Sequence, residues 1–190
     1  IQTWGGCVYH MTCRGSRFAD GAQRNPDGQV FMKNRETDEW LTQNQRSTRN
    51  FLRKWGHYCK HDSLMKPIIP PKYNNQFIIE NGNEQLLQLL EPWCDNINID
   101  IPQEKIDEYI KKEQPDTDYN LSERINQNVS NDIQIVFDGN KFSNDSYNII
   151  QQISAILESN KIDEGEFEID IFKIKVNRVK TYTHQLISIK

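Results

Sequence analysis

The chain has 190 residues, a net charge of −4 and a mean hydropathy of −0.80. That length holds one large domain or two small ones. Eight Phe, seven Tyr and four Trp are too many aromatics for a disordered chain, and no apolar run approaches the ~20 residues of a membrane helix. The charge is unevenly spread: residues 1–66 have a basic surplus of five and residues 67–190 an acidic surplus of nine. A basic segment joined to an acidic one predicts two units with different partners. The acidic unit argues against general binding to nucleic acid.

The first element is an opening loop. Residues 1–30 are rich in Gly, Arg and turn residues such as Asn25-Pro26-Asp27-Gly28. The chain begins Ile1-Gln2-Thr3-Trp4-Gly5-Gly6-Cys7-Val8-Tyr9-His10, which reads as the middle of an enzyme, so a further part is expected upstream. Glycines without a Cβ let backbone approach a bulky ligand, and a following His can bind a metal or a phosphate. Arg14 and Arg17 come next, and Arg forks match phosphate oxygens.

From 34 to 55 the pattern is helical, with Trp40, Leu41, Phe51, Leu52 and Trp55 at face-sharing spacing and Gly56 as the stop. Lys66-Pro67-Ile68-Ile69-Pro70-Pro71-Lys72-Tyr73 reads as a stiff extended linker, which places the domain boundary at 67–73. Beyond it the chain alternates. A strand is predicted at 76–80, a helix at 84–91 ended by Pro92, and a strand at 97–101. A helix at 103–113 follows Pro102, then a strand at 132–138 and a helix at 145–159 capped by Ser143 or Asn144. A long strand at 167–176 has a phase slip read as a bulge at Ile171-Phe172, and 186–189 is a short edge strand. The fold class is therefore α/β, with a mixed or parallel sheet in residues 74–190.

Four cysteines are too few for a disulfide scaffold in a chain this long, so reduced thiols in a cytoplasmic or cytosol-like compartment, a virion or an organelle are expected. Cys7, His10 and Cys13, with His57, Cys59 and His61, are zinc-ligand types. Their spacing departs from ordinary paired zinc motifs, and small buried fillers are the competing reading of the cysteines.

The Trp4-Gly5-Gly6…His10 turn, the polar loop after it and a helix closing on Asn50-Phe51-x-x-Lys54-Trp55-Gly56 together resemble the C-terminal end of a family 2 glycosyltransferase. The resemblance covers residues 1–66. It implies the last loop and helix of a nucleotide-sugar-binding (GT-A) domain, followed by an accessory α/β domain at 74–190. It places Trp4, Gly5 and Gly6 at the acceptor, His10 at a divalent metal (Mn or Mg) and the donor diphosphate, and Arg14 and Arg17 at the diphosphate. Its partners would be a nucleotide-sugar and a glycan acceptor. Cys7-Val8-Tyr9 stand where the family often has an acid, and the Asp-x-Asp metal motif would lie upstream. The chain's own Asp116-x-Asp118, and the weaker Asn98-x-Asp100, come after the loop. A competing reading is a non-catalytic structural or interaction subunit, with protein partners, in a large viral or organellar assembly.

Overall fold

The computed structural model describes residues 37–159 and 163–180, together with the strand residues 3–4, 7–8, 22–24 and 30–32. The chain divides into two compact units. One comprises Ile1–Thr48 and Cys59–Ile68, the other Arg49–Tyr58 and Ile69–Lys190.

In the first unit β1 (Thr3–Trp4) pairs antiparallel with β2 (Cys7–Val8), and β3 (Ala22–Arg24) with β4 (Val30–Met32). Helix α1 (Asp38–Trp55) starts here. Thr37 caps it, its Oγ1 accepting from Trp40 N at 3.2 Å, and Asp38 and Glu39 lie in the first turn, where the helix dipole favours anions. A short hairpin joins β5 (Lys60–His61) to β6 (Pro67–Ile68). Asp62 organises its turn: the carboxylate accepts from Leu64 N and Lys66 N, both at 2.8 Å.

The end of α1 belongs to the second unit. The helix stops where the sequence predicts: Gly56 has φ +73°, and its N–H donates to Leu52 O at 2.7 Å. A left-handed residue after the last turn suits glycine, which has no Cβ to clash. Leu52 is buried, whereas Trp40 and Leu41 at the other end of the predicted apolar face are exposed.

The second unit is a five-stranded mixed sheet with helices. β7 (Asn75–Glu80) leads through α2 (Glu84–Leu90) to β8 (Asn96–Ile99), which lies parallel beside it. Helix α3 (Gln103–Glu113) and a long connection lead to β9 (Ile133–Asp138), parallel to β7 on its other side. Helix α4 (Asn144–Ser159) leads to the hairpin β10 (Gly165–Ile169) and β11 (Phe172–Val176), and β11 pairs antiparallel with β9. The order is β10-β11-β9-β7-β8.

Alternation along the strands sends Phe77, Ile79, Ile97, Ile99, Ile133, Ile135 and Phe137 into one core with Leu86, Leu87 and Leu90 of α2 and Ile150 and Ile153 of α4. Three aromatic rings knit it, Phe137 standing edge-on to Phe77 and Phe172 at centroid distances of 6.3 and 5.0 Å. Gly139 permits a close approach, since a Cβ there would lie 2.7 Å from Asn81 O. The outer edge of β8 is covered by residues 124–126. Ile97 N donates to Arg124 O and Asn126 N to Ile97 O, both at 2.8 Å, and the Asn126 amide pairs with the backbone of Ile99.

Two expectations change. The stretch at 167–176 is two strands, not one bulged strand. Asp170, at φ +53°, turns the chain back, and Ser146 Oγ donates to its carboxylate at 2.8 Å. The apolar phase slips at Ile171-Phe172 because a tight turn resets which face each residue occupies. Pro92 ends α2 inside a 3-10 turn, Glu91–Trp93, rather than after a clean stop. The edge strand expected at 186–189 lies outside the described residues.

Candidate functional site

The end of α1 is locked into the second unit by a buried ion network. Arg53 is 1% exposed and Glu91 0%. Arg53 Nη2 donates to Glu91 Oε2 at 2.6 Å and to Glu113 Oε1 at 3.0 Å. Arg49 grips Glu113 with two parallel bonds of 2.7 Å, the fork geometry that makes Arg–carboxylate pairs strong. Arg124 Nε and Tyr109 Oη also donate to Glu91, at 2.8 and 2.9 Å. Burial alone would raise the Glu113 carboxyl, but hydrogen bonds from Arg49 and Arg53 outweigh it and hold the group below the ordinary glutamate range. Burial and the neighbouring Glu91 charge push the Tyr109 phenol well up, so it stays a neutral donor.

This network positions a cleft of about 530 Å³, formed by the last turns of α1 and the segment after α3. Asn50 and Lys54 line one side, one helical turn apart, and Pro115, Asp116, Thr117, Asp118 and Tyr119 the other. Asn50 is fixed at both ends of its amide: Oδ1 accepts from Arg53 Nη1 at 2.9 Å, and Nδ2 donates to Asp116 O at 2.6 Å. The loop is held from within, Gln114 Nε2 donating to Tyr119 O at 2.9 Å and to Thr117 O at 3.3 Å. The Arg124 guanidinium lies 5.2 Å from the centre of the Tyr119 ring, within cation–π range. Lys54 is exposed, its ammonium 5.4 Å from the Trp55 ring. The arrangement is a preformed polar opening with an amide, a hydroxyl, two carboxylates, one ammonium and one aromatic ring.

A second cleft of about 420 Å³ lies at the carboxyl ends of β7 and β9, with Glu80, Asp138, Lys141, Glu168, Asp170 and Lys173 in its lining. Ligands of open α/β sheets commonly bind at that end. Here, however, two of the four carboxylates already serve local structure. Asp138 accepts from Asn140 N at 3.0 Å and Asn81 Nδ2 at 3.1 Å, and these bonds depress its pKa; Asp170 takes the Ser146 hydroxyl.

Of the residues picked from the sequence, Trp4 ends β1 opposite Cys7; its side chain lies outside the description. Gly5, Gly6, His10, Arg14 and Arg17 lie outside the described residues, as does Cys13. His57 is buried, with Nδ1 2.7 Å from Tyr58 O and Nε2 unpartnered, while Cys59 and His61 are exposed. Among the described residues no three His, Cys, Asp or Glu side chains form a group fit to hold a metal ion. The described residues thus offer no ligand set for the divalent ion or the zinc weighed above. Asp116-x-Asp118, set aside as out of order for a donor motif, lines the cleft with Asn50 and Lys54. A polar run of turn formers between a helix and a strand, Gln114-Pro115-Asp116-Thr117-Asp118-Tyr119, is the signal that marks it.

Neither a protein-family model, nor a curated protein, nor a solved structure matches this chain.

Proposed function

We propose that the chain is the C-terminal portion of a glycosyltransferase that moves a sugar from a nucleotide-sugar donor to a glycan or other acceptor. Catalysis would require residues upstream of Ile1. The observation that supports the reading is the order of its parts. A Trp4-Gly5-Gly6 turn with His10, Arg14 and Arg17 precedes a helix that closes on Lys54-Trp55-Gly56, with Gly56 in the left-handed conformation. In this reading residues 1–66 end a GT-A-like domain and residues 74–190 are its accessory α/β domain. Trp4 and the two glycines face the acceptor. His10, Arg14 and Arg17 face the donor diphosphate, where fixed positive groups offset the charge that develops on the leaving group. A divalent ion bound with His10 would supply further stabilisation of that diphosphate.

The test uses the natural polypeptide that contains this chain, incubated with a panel of nucleotide-sugars and Mn or Mg. Nucleoside diphosphate release is expected, with His10→Ala lowering its rate roughly 100-fold, as loss of one charge-stabilising group commonly does. No release from any donor, or full release by the His10→Ala variant, would sink the reading.

A second reading, a non-catalytic subunit that docks on other proteins, is favoured by one observation. The turn between β5 and β6 exposes Leu64 and Met65 at 72% and 65%, and Ile68, in β6 opposite Lys60, is exposed at 46%. Large exposed apolar side chains on one short hairpin suit a protein contact. This reading gains if the polypeptide uses no nucleotide-sugar and Leu64→Ser with Met65→Ser releases it from a larger complex.

A further inference from the structure

We infer that the outer edge of β10 takes up an extended basic segment of another protein, one in which Lys or Arg alternates with apolar residues. The two edges of the five-stranded sheet differ. Residues 124–126 close the β8 side, whereas among the described residues no strand lies beyond β10. β10 pairs with β11 through five consecutive residues, Gly165 to Ile169, and no bulge interrupts them. Hydrogen-bonded and non-hydrogen-bonded pairs alternate in an antiparallel ladder, so every second residue of β10 turns its N–H and C=O outward. Such an edge is a ready template for one more strand, and extended peptides are recognised this way.

The side chains of β10 set the chemistry of that strand. Glu166 and Glu168 are exposed on one face of the sheet, while Phe167 and Ile169 are half-buried on the core side. The hairpin itself shows what answers this pattern. β11 places Lys175 opposite Glu166 and Lys173 opposite Glu168, with Ile174 opposite Phe167 and Phe172 opposite Ile169. It answers from one side alone. Lys175 Nζ stands 3.6 Å from Glu166, both side chains more than half exposed, and among the described residues Glu168 makes no ion pair. A strand on the outer edge with the same alternation brings a second cation beside each glutamate and covers the open sides of Phe167 and Ile169. Opposite charges across a ladder stabilise it, and like charges directly opposite destabilise it. A second copy of β10 therefore fits badly: with apolar side chains matched, glutamate faces glutamate. Native edges commonly use charge to prevent self-pairing, and a row of one sign leaves the edge open to the opposite sign. The acidic surplus of residues 67–190 attracts a basic partner at longer range.

The experiment offers residues 1–190 an acetylated and amidated peptide, Lys-Val-Lys-Ile-Lys-Val, and follows backbone amides by NMR. Binding is expected to slow hydrogen exchange at the outward amides of Gly165–Ile169 and to weaken as salt rises. Glu166→Gln combined with Glu168→Gln should raise the dissociation constant about tenfold. Both side chains are exposed, so unchanged thermal melting certifies the fold of the variant. The same peptide methylated at every backbone nitrogen keeps its charges and loses its ladder donors, and should bind at least about tenfold more weakly. No binding of the unmethylated peptide, or equal affinity for the double variant, overturns the proposal. Equal binding of the methylated peptide overturns it too, by showing charge attraction without strand pairing. So does protection of the outward β10 amides before peptide is added: a dimer would then assign the edge to a second copy, a monomer to another segment of this chain. None of these readouts involves a nucleotide-sugar, so failure here leaves the transferase reading standing, and failure of that reading leaves the edge standing.

Discussion

Arg53 is the residue on which the second unit turns. It is buried with Glu91 and shares Glu113 with Arg49. A buried pair is weak evidence for net stability, because desolvation offsets attraction, but breaking it strands an uncompensated charge. Arg53→Met should therefore destabilise the protein by about 3–5 kcal/mol, read from urea unfolding. Combining it with Glu91→Gln should cost less than the sum of the single changes, since neither partner is then left alone. Additive costs would show that the two side chains do not interact. Glu113 adds a pH dependence. Its folded pKa is depressed, so its contribution is present above the ordinary glutamate value of about 4.5 and is lost as pH falls toward the lower folded value. Glu113→Gln should flatten the acid limb of stability against pH; an unaltered limb would assign it to other carboxylates.

At the scale of elements, helix α1 begins in one compact unit and ends in the other. Its amphipathic pattern and Gly56 stop are legible in the sequence, because helical period and left-handed glycine are local properties. The partners of its two arginines are not. Arg49 and Arg53 lie 64 and 60 residues from Glu113, and a basic helix face ordinarily reads as solvated. Hence a fragment of residues 49–190 should fold, whereas 69–190 should not. The shorter one lacks Leu52 and leaves Glu91 and Glu113 without their α1 cations. Equal melting temperatures for the two fragments would contradict this. The hairpin at 165–176 shows the opposite lesson. Its apolar phase slip is in the sequence, yet a bulge and a two-residue turn share that signature, and only the pairing of Ile169 with Phe172 separates them.

For the whole molecule, the α/β class and the mixed sheet stand, and no helix among the described residues is long and apolar enough to cross a membrane. The strand order β10-β11-β9-β7-β8 is a tertiary fact: β9 returns to the far side of β7, and the hairpin reverses direction to join it. The transferase proposal belongs to this scale, because it assigns roles to the Trp4-Gly5-Gly6 loop and to residues 74–190 of one chain. Nucleoside diphosphate release tests it.

The sequence by itself determined where strands and helices lie in residues 74–159, because hydrophobic period, prolines and capping side chains act within a few residues. It also marked Asp116-x-Asp118 as a pair, without a place. Only the tertiary structure set that pair across from Asn50 and Lys54 and buried Arg53 on Glu91. Both depend on segments 38 to 66 residues apart in sequence, and such contacts arise from packing rather than from any local propensity.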